Sequence, residues 1–352
     1  MYIPFVRNHD RRRPCVLRGF AAILCGIALL GSTQVMAQEE KTVRVMTSPS
    51  GSGPYNTWAT IQTHMDQFSD WLRISTEETP GFVYNVQIMG RDQSRYQDTV
   101  FGSGTVLSWV AEEGYQPFFD EPFEAAEEFM TLGVMGMSYN VFVTLDDDVK
   151  TPRDFPGKRI GIGMLSQNEW GMHPRMLLDG WELTDELRSL DTLGTFPNIE
   201  ALLDGRTDVG FLFGLTSRDG DHTVVTGPHR DIEASGRDWH YVNVPREMTE
   251  QFVEETGAPF RVVEYEPNAL PNQPDPLTTF GDLLVLQVHE TFPEDAAYEL
   301  VRVLVENHEQ IGGYTAFARA WTPETLAYLA NTDPENVHPG ALRAYRDLGL
   351  VD

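Results

Sequence analysis

Two loops carry the residue types that could hold a small anion. The first, Ser48-Pro49-Ser50-Gly51-Ser52-Gly53-Pro54, ends an alternating stretch, Lys41 to Thr47, and opens an apolar-periodic one near Tyr55. Its small side chains let backbone N–H groups approach a ligand closely, and N–H groups at a helix start favour negative charge. Ser50, Ser52, Gly53 and Tyr55 are its candidate binding residues, three of them with hydroxyls. The second loop, Gly163 to Trp170, also follows a strand-like run and starts a helix-like one. It offers Ser166, Gln167 and Asn168. Two such loops facing each other across a cleft would hold a small carboxylate from both sides. The alternative for the first loop is an ordinary tight strand-to-helix turn. Trp170 packs either on a solute or in the core, and Phe213, in the apolar run Asp208 to Gly214, is counted with the site.

Motifs for covalent or metal chemistry are missing. His289-Glu290 and His308-Glu309 lack the second histidine of a zinc-protease helix. Gly51-Ser52-Gly53 continues to Asn56, not to glycine, so the dinucleotide fingerprint fails; no phosphate loop or Gly-x-Ser-x-Gly elbow occurs. The nine histidines show no metal-ligand spacing. Asp219-Gly220-Asp221-His222 and Asp146-Asp147-Asp148 read as solvated turns. No catalytic residue, metal or cofactor is expected.

The elements that must position these loops alternate strand and helix, which implies α/β architecture with mostly parallel strands. Lys41 to Thr47 reads as a strand. Trp58, Ile61, Met65, Phe68 and Leu72 recur every three or four positions, one buried helix face. Val83 to Met89 reads as a second strand, a short helix is expected near Ser94 to Val100, and Gly104 to Val110 reads as a Gly-rich strand. Met130 to Thr144 is long enough to carry the chain between two lobes. A second strand-and-helix series opens at Arg159, with helices at Asn168 to Leu178 and Asn198 to Leu203. Arg218 to Asp238 reads as a surface excursion. The Pro- and Asn-rich segment up to Pro276 reads as a return, followed by a strand, Leu283 to Val288, and a helix, Pro293 to Glu309. This is the plan of a clamshell whose lobes close around a ligand. Lobe I is expected at 38–140 plus 265–352 and lobe II at 141–264.

The first 37 residues read as a cleaved secretory signal: Arg7, Arg11, Arg12, Arg13 and Arg18, then an apolar stretch Gly19 to Gly31, then Val35-Met36-Ala37. Both cysteines, Cys15 and Cys25, lie in it, so the mature chain is expected to have no thiol and no disulfide.

The whole chain has 352 residues, with 26 Lys plus Arg against 53 Asp plus Glu, net −27. The leader holds five arginines and Asp10, so removing it leaves 21 basic and 52 acidic groups, net −31. That balance opposes nucleic acid or anionic membrane as a partner. Only three lysines remain, Lys41, Lys150 and Lys158. A surface so acidic is expected to belong to a salt-adapted exported protein, since salt screens its self-repulsion.

Several stretches, in order, resemble the solute-binding subunit of TRAP transporters of the TAXI type. The loop ending Gly53-Pro54-Tyr55 resembles the family's Gly-x-Tyr loop. Thr151 to Gly163 resembles its Asp-Leu-x-Gly-Lys-Arg-Val-x-x-Gly segment, and Leu203 to Asp208 its Leu-x-x-Gly-x-x-Asp step. His338-Pro339-Gly340-Ala341 resembles the start of its C-terminal helix and is the most specific of the four. The resemblance implies a two-lobed fold of the type II periplasmic binding protein class. It implies capture of a small organic acid or an amino acid such as glutamate, delivered to membrane permease subunits, with no chemistry done on it. It carries Ser50, Gly53, Tyr55, Ser166, Gln167 and Asn168 into the pocket. One stretch departs: where the family has Gly-Ser-x-x-Asn, this chain has Gln93-Ser94-Arg95-Tyr96-Gln97-Asp98. Arg95, with Tyr96 beside it, or else Arg91, is read as a bidentate carboxylate contact; a surface ion pair is the alternative. An ABC-type receptor of the same fold and an exported α/β hydrolase or lyase are the competing functions.

Overall fold

The alternation of Val43 and Val45 with polar neighbours sets the first strand, β1 (Lys41–Met46), in which both valines are fully buried. The computed structural model describes residues Glu39–Asp352; the expected leader, 1–37, lies outside the described residues. After β1 come α1 (Gly53–Phe68), β2 (Leu72–Glu77), α2 (Phe82–Met89), β3 (Thr99–Gly104), α3 (Thr105–Glu113) and β4 (Phe129–Thr144). The middle of the chain forms β5 (Arg159–Ile162), α4 (His173–Gly180), β6 (Ser189–Thr192), α5 (Thr195–Leu203), β7 (Val209–Thr216), β8 (Thr223–Val225), α6 (Gly227–Ala234), β9 (His240–Tyr241) and α7 (Arg246–Thr256). β10 (Arg261–Tyr265), β11 (Leu277–Gly281), β12 (Leu283–His289) and α8 (Glu294–Glu306) follow, then a helical tail that ends with Pro339–Asp347. Among the described residues no helix is long and apolar enough to cross a membrane.

The strands run β2-β1-β3-β12-β4-β7-β5-β6. β1 is parallel to β2 and β3, and β5 is parallel to β6 and β7. Between these two parallel groups lie the antiparallel strands β12 and β4. The 16 residues of β4 change partner halfway: Phe129 to Met137 pair with β12, and Met137 to Thr144 pair with β7. A second strand pair crosses the other way. Phe280 of β11 pairs with Asn140, and from Leu283 onward the chain pairs with the first half of β4. β10 and β11 pair with each other, and Val244 donates its N–H to the carbonyl of Thr278. From Leu283 onward the chain pairs with β3 and with the first half of β4.

One continuous apolar core runs through both groups. In the first, Trp58, Ile61, Met65 and Phe68 form the buried face of α1. Burying each such side chain contributes about 1.5–3 kcal/mol. Trp58 and Trp321 lie 5.7 Å apart, which fastens the C-terminal segment to α1. In the second, Phe142 meets Phe155, Phe211 and Phe280 at centroid distances of 5.1, 5.0 and 6.2 Å. The His-Pro-Gly-Ala stretch has a physical explanation. His338 Nδ1 accepts the Gly340 N–H at 3.2 Å, Pro339 starts the helix, and a Cβ on Gly340 would lie 2.2 Å from the carbonyl oxygen of Glu294.

Several expected elements differ. The short helix near Ser94 to Val100 is only the turn Gln93–Arg95, with Thr99 and Val100 already in β3, and Leu72 opens β2 instead of continuing α1. Val83 to Met89 is helical, not a strand. Its Val, Tyr and Ile content favours a sheet, yet Phe82, Val83, Asn85, Val86 and Met89 form one buried helix face, and Asn85 donates to the carbonyls of Met46 and Thr47. Gly104 to Val110 is not a strand either. β3 ends at Gly104 and α3 begins at Thr105, where the Asp282 carboxylate accepts the Val106 N–H. The excursion Arg218 to Asp238 contains β8 and α6, and Val224 and Ile232 are buried.

Candidate functional site

A cavity of about 570 Å³ lies beside the crossing strands. Two loops frame it, and four helices begin on it. Ser52, Gly53 and Pro54 start α1; Gly81 and Phe82 start α2; Thr195 and Phe196 start α5; Thr226, Gly227 and Pro228 start α6. Each helix is eight residues or longer. Helix N-termini carry partial positive charge, so four of them on one cavity favour an anion. Arg230, in α6, is the guanidinium of the lining, and Glu169 is its carboxylate. Trp170 and Phe213 meet edge to face at 5.7 Å and make an apolar wall.

Six of the expected site residues line this cavity: Ser52, Gly53, Gln167, Asn168, Trp170 and Phe213. Their local roles are partly structural. Ser52 caps α1, accepting the Tyr55 N–H at 3.4 Å, and its hydroxyl lies 2.6 Å from that of Ser48. Gly53 makes room for Phe317, whose Cδ2 would stand 2.5 Å from a Cβ there. Gln167 Oε1 accepts the Met164 N–H at 3.1 Å, which closes the second loop on itself.

Five expected site residues are not in the lining. Ser50 is exposed and donates its N–H to Glu78 Oε1 at 2.9 Å. Tyr55 sits on the first turn of α1, half-buried, outside the cavity wall. Ser166 donates its hydroxyl to the carbonyl of Pro80 at 3.1 Å. Arg95 is engaged elsewhere: its two terminal nitrogens reach Glu77 at 2.7 and 3.3 Å, and its Nε lies 3.3 Å from Asp92. The Glu77 carboxylate occupies the fork that a solute would need. Tyr96 stacks on His289 with ring centroids 3.6 Å apart.

Sequence reasoning missed Arg230, Thr226, Glu169 and the segment Tyr314 to Phe317, all in the lining. A signal for the α6 start was present. Thr226 precedes Gly227-Pro228, a capping-type residue followed by proline in the first turn. The others come from chain segments far apart in sequence and carry no local mark.

Next to the cavity lies a buried ionisable cluster, Glu169, His173 and Asp282. His173 Nδ1 lies 3.2 Å from Glu169 Oε2, and His173 Nε2 lies 3.4 Å from Asp282 Oδ2. Burial opposes a charge on this imidazole, but the two carboxylates outweigh it and hold its pKa well above the usual range. A second buried histidine behaves oppositely. His229 is pushed down to about 3 by burial first and by the neighbouring Arg230 charge.

The sequence model of the NMT1-like family matches residues 45–349. No curated protein matches the chain. Among solved structures, XAC2383 from Xanthomonas citri bound to ATP is 11% identical, with 89% of this chain and 100% of that one aligned and a TM-score of 0.50. MatC from Rhodopseudomonas palustris with bound malate is 12% identical, with 88% and 96% aligned and a TM-score of 0.50. The periplasmic binding protein BugD is 12% identical, with 89% and 99% aligned and a TM-score of 0.49. The likenesses to XAC2383 and MatC show the fold: α/β, two lobes, and a cleft between them.

Proposed function

Because the chain belongs to the NMT1-like family, we propose that it is an exported receptor that captures a small carboxylate, an organic acid or an amino acid such as glutamate, in the cavity beside the crossing strands. The observation that carries this reading is the convergence of four helix starts and Arg230 on a cavity of about 570 Å³. Such a volume suits a small molecule. Helix starts and a guanidinium offset the repulsion that a chain of net charge −27 exerts on an anion. MatC, a neighbour in fold, holds malate, a dicarboxylate.

In this reading lobe I keeps its expected limit at 140, and the return moves from 265 to Gly281–Asp282, because β10 and β11 pair with each other and with the second half of β4. Of the expected site residues we keep Ser52, Gly53, Gln167, Asn168, Trp170 and Phe213, and add Arg230. The leader directs the chain to the periplasm. The captured solute passes to the membrane subunits of a TRAP-type permease, and no bond of the solute is made or broken. Neighbouring genes separate this from an ABC-type receptor: a many-span permease alone favours the first, an ATPase the second. A calorimetric screen of dicarboxylates, keto acids and amino acids in 1–2 M NaCl tests the binding itself.

A further inference from the structure

Glu169, His173 and Asp282 come from two separate parts of the chain. Glu169 and His173 stand four residues apart on one helical face, leading into and starting α4. Asp282 lies at the point where β11 gives way to β12. Their side chains are 4%, 0% and 0% exposed. One ligand atom from each lies within 4.8 Å of the others.

Their hydrogen bonding is unequal. Asp282 is well served: it accepts from the Thr105 hydroxyl, from the Val106 N–H at 3.2 Å and from the Leu283 N–H at 2.6 Å. Glu169 Oε2 and both ring nitrogens of His173 are buried, and their ion-pair contacts at 3.2 and 3.4 Å lack hydrogen-bond geometry. Unpaired buried polar atoms of this kind are costly and call for an occupant. With a neutral imidazole the cluster carries two negative charges, and with an imidazolium it carries one. A divalent cation would bring it to zero, the state that burial favours.

We propose that Glu169 Oε2 and His173 Nδ1 hold a divalent transition-metal cation, with Asp282 as the positioning carboxylate. The 3.2 Å between the two ligand atoms suits a shared ion, since donors at about 2.1 Å from one metal stand about 3.0–3.4 Å apart. The opposite ring nitrogen faces Asp282 at 3.4 Å, the carboxylate–histidine–metal relation that fixes the tautomer and ring orientation. An imidazole nitrogen beside carboxylate oxygen favours a borderline ion such as Zn²⁺ over the hard ion Ca²⁺. Glu169 also lines the cavity, which puts the cluster next to the space a solute would enter. A solute carboxylate would complete the shell; that step rests on the receptor reading above, whereas metal uptake does not.

The test is a titration of metal-stripped protein with ZnCl₂ and then MnCl₂ in 1 M NaCl, with no organic solute present, alongside anomalous diffraction from zinc-soaked wild-type crystals. The expected result is one tight equivalent per chain, weakened at least tenfold by Glu169→Gln and by His173→Gln, with an anomalous peak between these two side chains. Uptake equal in wild type and variants, or wild-type crystals without a peak at the cluster, overturns the assignment. The crystal result decides even if a variant fails to fold. Metal uptake without any carboxylate binding would leave this site standing and remove the receptor reading.

Discussion

The hydroxyl of Ser166 donates to the carbonyl of Pro80 at 3.1 Å, and the carbonyl of Ser166 accepts the N–H of Val83 at 3.1 Å. This seam joins the second loop to the start of α2. Gly81 makes it possible. Its φ is +146°, and a Cβ there would lie 2.3 Å from the carbonyl oxygen of Ser166. Gly81→Ala is therefore expected to break the seam. Backbone strain at such a position costs about 1–3 kcal/mol. Solute affinity should fall by about tenfold or more, and small-angle scattering in the presence of solute should show a larger radius of gyration than wild type. An unchanged radius and affinity would show that the seam does not hold the cleft closed.

The two candidate arginines give opposite expectations. Arg230 lines the cavity, and a charged hydrogen bond to a carboxylate contributes about 1.5–3 kcal/mol. Arg230→Ala should weaken carboxylate binding about tenfold to a hundredfold. Arg95 is held by Glu77 and Asp92 outside the lining. Arg95→Ala should leave affinity within about twofold and cost at most about 1 kcal/mol of stability. Calorimetry on both variants reads the contrast directly.

Acid should destabilise the fold through His229. In the folded chain this imidazole stays neutral down to about pH 3, because it is buried and lies beside Arg230. In the unfolded chain it takes up a proton below about pH 6.5. The unfolded state thus binds more protons between these values, and stability falls as pH falls through that window, by up to about 1.4 kcal/mol per pH unit. His229→Gln should flatten the slope of unfolding free energy between pH 6 and 4 relative to wild type. Parallel slopes would remove His229 as the cause.

The acidic surface should make stability depend on salt. With 53 acidic against 26 basic residues, self-repulsion is long-ranged in dilute buffer and screened within about 3 Å at 1 M. The melting temperature is expected to rise by about 5 °C or more between 50 mM and 2 M NaCl. A flat or falling curve would contradict salt adaptation.

What could be read from the sequence follows from how local each signal is. α1 and its loop were legible because Trp58, Ile61, Met65 and Phe68 repeat at helical spacing and Ser52 caps them. β2 was hidden because Leu72 continues that spacing, although Leu72 and Ile74 alternate and are buried in a strand. Val83 to Met89 misled because β-branched content outweighed a short helical period. In the site, the glycines and the Trp170 to Phe213 wall were visible as loop and apolar run. Arg95 and Arg230 were indistinguishable by type, and only the fold shows that Glu77 engages the first. The cluster of Glu169, His173 and Asp282 was not read from the sequence, because its third member, Asp282, lies 109 residues beyond His173 and is brought there by the crossing strands.

The most direct measurement is isothermal calorimetry of the mature chain in 1–2 M NaCl against a panel of dicarboxylates, keto acids and amino acids, with uncharged sugars as controls. The account expects at least one carboxylate to bind one per chain with a dissociation constant at or below about 10 μM, and expects Arg230→Ala to weaken it. No binding by any carboxylate in the panel, or binding by the sugars alone, would contradict it.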